Sequence, residues 1–215
     1  FVQVEDKTIY NFDKKGRGVI TLQYALSKSL NTGFAFIVQK IGNKALANYL
    51  TSFKLGEKTK IDLPNEATGL ISNLNSPRDI EYITASFGQG IAVSPVEVVR
   101  AFSAIANGGK LVTPHVVRQI NYRVGFSKTF DSDPQVQVIK QRTSEDVTKM
   151  MVYNVDNSLM DGKGKNARYS VAAKTGTAQI AENGSYAEDR FLHSFVGYLP
   201  ASDPKFLIFI YTVNP

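Results

Sequence analysis

The chain has 215 residues, 43% hydrophobic, 20% charged and 11% aromatic, which is enough for one sizeable core and typical of a globular domain. That balance excludes a disordered segment or a low-complexity fibre, and zero cysteines exclude disulfides, thiolate metal sites and a cysteine nucleophile. The net charge of +6 is shared equally between residues 1–107 and 108–215, and no basic tail or arginine-rich stripe points to nucleic acid.

In chain order, FVQVEDKTIYNF alternates like a strand, without the positive start and apolar block of a signal peptide, so the chain is expected to begin inside a fold. After a turn at DKKGRG, the spacing of Leu22, Ala25, Leu26 and Leu30 predicts a helix. A second carries Phe34, Ile37, Val38 and Ile41 on one face and stops at Gly42, so two helices meet near residues 29–33. NKALANYLTSFKLG predicts a third, ending near Gly56, and from Glu57 to Pro77 turn formers prevail without a sustained period. The strongest helix signal follows: Ser94 as N-cap, Pro95 at the first helical position, Glu97 completing a capping box and Gly108 beyond the end.

Residues 110–142 read as short strands and loops, and TSEDVTKMMVYNVDN as a helix capped by Thr143 or Ser144 with acids in its first turn. A glycine-bearing loop leads into RYSVAAKTGTAQI, which reads as a strand. FLHSFVGYLP and KFLIFIYTV are expected to pair antiparallel across the turn ASDP. The last run is apolar on both faces, as a central strand would be, and falls far short of the ~20 residues of a membrane helix. Strands at both ends and helices between them predict one α+β domain over residues 1–215, its sheet uniting the beginning of the chain with its end.

Within AAKTGTAQ, alternation places Lys174, Gly176 and Ala178 on one face and Thr175, Thr177 and Gln179 on the other. A glycine inside a strand marks close approach by a ligand or another backbone, and Gly176 fits that role. One ammonium and two hydroxyls around it can bind a carboxylate, while main-chain N–H groups free at a sheet edge can polarise a carbonyl. In SKSLNTG, Ser29 and Asn31 lie at the helix junction, where a hydroxyl can pass a proton and an amide can grip a peptide group; the plainer reading of the pair is a helix cap. The two histidines, His115 and His193, are too few for a histidine-rich metal site and read as surface or hydrogen-bonded residues.

Together, Ser-x-Asn followed by Lys-Thr-Gly resembles the penicillin-binding proteins and serine β-lactamases. The surrounding stretches ALSKSLNTGF, ASFGQGIAVSPVEVVRAFSAIANGG and AAKTGTAQI are similar to the class B enzymes, the monofunctional D,D-transpeptidases of peptidoglycan synthesis, with a poorer fit over 120–142. The resemblance implies their fold, an antiparallel sheet flanked by helices, here incomplete at both ends. It implies that Ser29 relays a proton at the leaving amine and Asn31 holds the acyl-side amide of the substrate. By the same resemblance Lys174 supplies positive potential and contacts Ser29, and Thr175 and Thr177 bind the terminal carboxylate of a D-alanyl-D-alanine stem peptide or of a β-lactam. The Thr177 N–H forms half of an oxyanion hole. Neither a metal nor an organic cofactor is implied. The implied setting is the outer face of the cytoplasmic membrane, reached through an upstream anchor, with a membrane glycosyltransferase as partner.

The covalent chemistry of that family needs Ser-x-x-Lys on a helix before Ser29. The one serine here with a lysine three positions on is Ser202, with Lys205, after Lys-Thr-Gly and in a proline-containing turn where a helical pairing cannot form. The chain is therefore expected to be the C-terminal portion of a transpeptidase domain, its nucleophile upstream, and to turn over no substrate alone. Two alternatives stand beside this reading. A β-lactamase or carboxypeptidase shares the fold, but class A hydrolases show Ser-Asp-Asn where this chain has Leu30 in the middle, and no Glu-x-x-Leu-Asn lies between Leu30 and Lys174. A noncatalytic binding module, either a β-lactam sensor or a degenerate relative that only grips peptidoglycan peptides, is the other, favoured on its face by the lack of a nucleophile in these residues.

Overall fold

The computed structural model describes residues 1–130, 135–182 and 185–213. The alternating start folds as a hairpin rather than one strand: β1 (Val2–Val4) pairs antiparallel with β2 (Lys7–Ile9), and the chain reverses at Glu5, whose φ of 50° is left-handed. Two short helices meet next, α1 (Leu22–Ser27), capped by the Thr21 hydroxyl, and α2 (Asn31–Ile41). Gly42, with φ of 87°, ends α2 and opens α3 (Asn43–Ser52), which stops short of the expected end at Gly56.

A single-turn 3-10 segment (Ser72–Asn75) and α4 (Asp79–Ala85) complete this half. Val4, Ala35, Val38, Leu74, Ile80, Tyr82, Ile83 and Ala85 form its core. The expectation that the sheet joins both chain ends is thereby corrected. Among the described residues the N-terminal hairpin pairs with no strand of the C-terminal sheet, because Val4 is drawn into the helical core instead.

The other half centres on α5 (Pro95–Ala106), where the capping box forms as read from Ser94, Pro95 and Glu97. Two small antiparallel pairs follow, the hairpin of β4 (Gln119–Asn121) with β5 (Ser127–Thr129) enclosed between β3 (Lys110–Leu111) and its partner β6 (Val136–Gln137). The next helix, α6 (Gln141–Asn157), begins ahead of the expected caps: Lys140 is its N-cap, and the buried Ser144 donates to the Ile105 carbonyl of α5 instead.

The sheet is antiparallel in the order β7 (Ala172–Glu182), β8 (Ser185–Leu199), β9 (Phe206–Val213). Met151, Ala172, Tyr198 and Ala201 bury its lower end against α5 and α6. The wholly buried Tyr198 shares a 2.7 Å hydrogen bond with Thr148 of α6. Among the described residues the last run is an edge strand rather than a central one, with Phe206, Ile208, Ile210 and Val213 exposed.

A buried charged clamp joins the halves. Glu97 has no exposed surface; its Oε2 accepts from Ser94 N–H at 2.6 Å and its Oε1 from Gly56 N–H at 2.7 Å. One turn later Arg100 donates to the carbonyls of Lys54, Glu57 and Lys58. The loop after α3 is thus gripped through an amide and three carbonyls. Gly69 lies against the same carboxylate, where a Cβ would meet Glu97 Oε2 at 2.9 Å and the Ala92 carbonyl at 2.5 Å, and this close approach lets Leu70 and Ala92 pair. Glu97→Ala strands two part-buried N–H groups and should cost about 2 kcal/mol of unfolding free energy. The surface change Glu57→Ala should cost less than about 0.5 kcal/mol, with denaturant titration of both variants as the check.

Candidate active site

The two motifs meet. The α1–α2 junction bends at Ser29, a non-glycine residue held at φ of 49°, while Leu30 is buried beneath it. That left-handed turn leaves the Ser29 hydroxyl exposed at the surface of the bend. Leu30 is the N-cap of α2 and makes no side-chain cap bond, so the plainer reading of Ser29 and Asn31 as a cap fails. Asn31 opens α2 with its amide donating to the Tyr10 carbonyl at 3.1 Å. Asn11 secures the same turn, its side-chain oxygen accepting from the Thr32 N–H at 3.1 Å and hydroxyl at 2.9 Å.

Lys174 reaches this bend from the edge strand. Its amine lies 2.5 Å from Ser29 Oγ and 2.7 Å from the Thr175 carbonyl. The Thr175 carbonyl therefore points away from β8, as does that of Ala173, which accepts from Asn154 of α6 at 3.0 Å. Backbone groups of alternate residues point the same way, so the Thr177 N–H also lies on the open edge, where a carbonyl oxygen can be polarised. Helix α6 is the common reference for both motifs, because Gln23 of α1 donates to its Met150 carbonyl at 3.1 Å.

Register places Thr175 and Thr177 opposite Phe195 and His193, on the sheet face opposite to Lys174 and Gly176. Both threonines and Gly176 are exposed. The close approach expected at Gly176 is made by a side chain of the next strand: a Cβ there would meet Ser194 Oγ at 2.6 Å. Against the Lys174 face lies an apolar cavity of about 850 Å³, walled by Phe87, Ile91, Val98, Phe102 and Phe209. At its rim the Gly90 N–H donates to the Tyr186 hydroxyl at 2.9 Å, linking the Gly88–Gly90 turn to β8.

Sequence reading did not include this turn, Tyr186, Ser194 or His193 in the site. Local spacing carries no sign of them, since each reaches it through strand register or loop packing. Ser202 and Lys205 lie in the exposed turn between β8 and β9, and Lys205 pairs with Asp203 at 2.7 Å, as befits a chance match.

Burial pulls the Lys174 amine below the ordinary lysine range. Charged, it donates to both oxygens; neutral, it can accept the Ser29 proton, so the pair can pass a proton either way.

A Lys-Thr-Gly edge strand set against a Ser-x-Asn bend is the architecture of a penicillin-binding domain. Comparison with known families agrees: residues 1–215 match the penicillin binding protein transpeptidase domain, and the chain belongs to that family. Stage V sporulation protein D of Bacillus subtilis is 33% identical over 216 residues, covering 99% of this chain and 33% of that protein. The peptidoglycan D,D-transpeptidase MrdA of Acinetobacter baumannii is 30% identical over 225 residues, covering 95% of this chain and 33% of that protein. The crystal structure of penicillin binding protein 3 from Mycobacterium tuberculosis, complexed with aztreonam, matches with a TM-score of 0.92 at 26% identity, over 100% of this chain and 50% of that one. The chain thus spans about one third of the length of these curated relatives.

The lowered value at Lys174 has a consequence for stability. In the unfolded chain the amine regains its ordinary affinity for a proton, so below the depressed value the buried charge costs stability, and the cost fades as pH rises toward the ordinary one. Lys174→Met should raise the melting temperature at neutral pH and abolish that alkaline gain. Thermal denaturation from about pH 7 to about pH 11 reads both effects.

Proposed function

We propose that this chain is part of a peptidoglycan D,D-transpeptidase that cross-links stem peptides through a serine acyl-enzyme and is acylated by β-lactams. The observation that carries the reading is the 2.5 Å contact between Lys174 Nζ and Ser29 Oγ. In this reading the Thr175 and Thr177 hydroxyls hold the terminal carboxylate of a D-alanyl-D-alanine stem, Asn31 holds the acyl-side amide, and Lys174 adds positive potential. The nucleophilic serine comes from a helix outside these residues, and the apolar cavity beside Lys174 offers the surface on which such a helix packs.

The serine oxygen attacks the penultimate carbonyl carbon as its hydroxyl proton passes to the lysine one turn along its own helix, and the oxyanion is held by the Thr177 N–H. As the peptide bond breaks, Ser29 passes a proton to the departing amine of the terminal D-alanine, drawing on Lys174. An acceptor amine then attacks the acyl ester and gives up its proton to the Ser29–Lys174 pair, which restores that pair, while the departing serine oxygen takes its proton back from the lysine of its own helix. The same reading sets the domain on the outer face of the cytoplasmic membrane, anchored by an upstream segment and working beside a membrane glycosyltransferase. Among the described residues no helix is long and apolar enough to cross a membrane.

Fluorescent penicillin tests it. The intact protein should be labelled covalently, Lys174→Ala should slow labelling about 100-fold, and residues 1–215 alone should take up none. Stable labelling of the 215-residue chain alone would overturn the assignment of the nucleophile.

A further inference from the structure

One polar side chain at the site has no part in the chemistry above. His193 on β8 stands opposite Thr177 on β7, with its Nδ1 3.3 Å from Thr177 Oγ1. Its other register partner is Thr212 on β9, and the Phe191 ring on the same face lies 6.1 Å from its own. His193 is exposed on the face that bears the Thr175 and Thr177 hydroxyls.

We propose that His193 is a positioning residue for the substrate carboxylate, acting through the direction of the Thr177 hydroxyl proton. The proposal rests on the reading of Thr177 given above and adds to it. A threonine hydroxyl has one proton to donate. If Nδ1 carries no hydrogen it can only accept; it then takes the Thr177 proton and turns the oxygen lone pairs toward the incoming carboxylate, which repels them. If Nδ1 carries the hydrogen it donates to Thr177 Oγ1 and leaves the hydroxyl proton free for the carboxylate. Donation into the oxygen also polarises the O–H bond and strengthens it as a donor. The neighbouring strand thus decides whether the second threonine of Lys-Thr-Gly-Thr attracts or repels an anion.

The test measures second-order acylation of the intact protein by penicillin and by its methyl ester, which has no anionic carboxylate. His193→Phe keeps an aromatic ring but cannot donate, and it should slow acylation by penicillin roughly tenfold, the scale of one hydrogen bond to a charged group. Acylation by the ester should be unchanged, which also shows that the variant is folded. His193→Asn carries an amide donor near the Nδ1 position and should restore the penicillin rate to within about threefold of wild type. Equal slowing with both compounds, or no slowing with either, overturns the proposal. Thr177→Val separates the two layers of inference. If it selectively slows penicillin and His193→Phe does not, the role of His193 falls alone; if it has no effect, the reading of Thr177 falls with it.

Discussion

The contact on which the rest depends is the one between the Lys174 amine and the Ser29 hydroxyl, made across 145 residues of chain. A half-buried amine near a hydroxyl at hydrogen-bond distance cannot tolerate an ångström of drift, so both ends must be fixed independently. Helix α6 fixes them. It holds α1 through Gln23 and the Met150 carbonyl, and β7 through Asn154 and the Ala173 carbonyl. Lower in the sheet, Thr148 holds Tyr198 of β8. A helix with no side chain in the proposed chemistry therefore sets the distance between the two motifs that have.

Glu97 and Arg100 do for the cavity wall what α6 does for the motifs. The segment from Lys54 to Ala92 contains one short helix and little other regular structure, and such backbone must have its N–H and C=O groups satisfied elsewhere. Two charged side chains on one face of α5 meet much of that need, and the close pairing of Leu70 with Ala92 follows. The wall that faces the Lys-Thr-Gly strand is thus held by buried charge as much as by apolar packing.

The legible parts of the fold were those written in adjacent residues. Ser94, Pro95 and Glu97 specify the start of α5 within four positions, and the structure forms that cap as read. Lys-Thr-Gly and Ser-x-Asn could be singled out because their residue types fit a carboxylate and an amide. What sequence could not give depends on packing. Helix α4 has seven residues with Ile80, Tyr82, Ile83 and Ala85 all buried, so it shows no polar face and no period. Ser144 looks like a cap but spends its hydroxyl on α5, and Val4, while paired in its own hairpin, packs its side chain into the helical core. The pairing of His193 with Thr177 follows from the register of β7 and β8, which slips between Gln179 and Ala181, and spacing alone does not reveal where.

The most direct measurement is a crystal structure of the intact protein acylated by penicillin. The adduct carboxylate should lie within hydrogen-bond distance of the Thr175 and Thr177 hydroxyls, with Lys174 Nζ still on Ser29 Oγ. An adduct whose carboxylate lies away from both threonines, or a Lys174 amine turned away from Ser29, would contradict it.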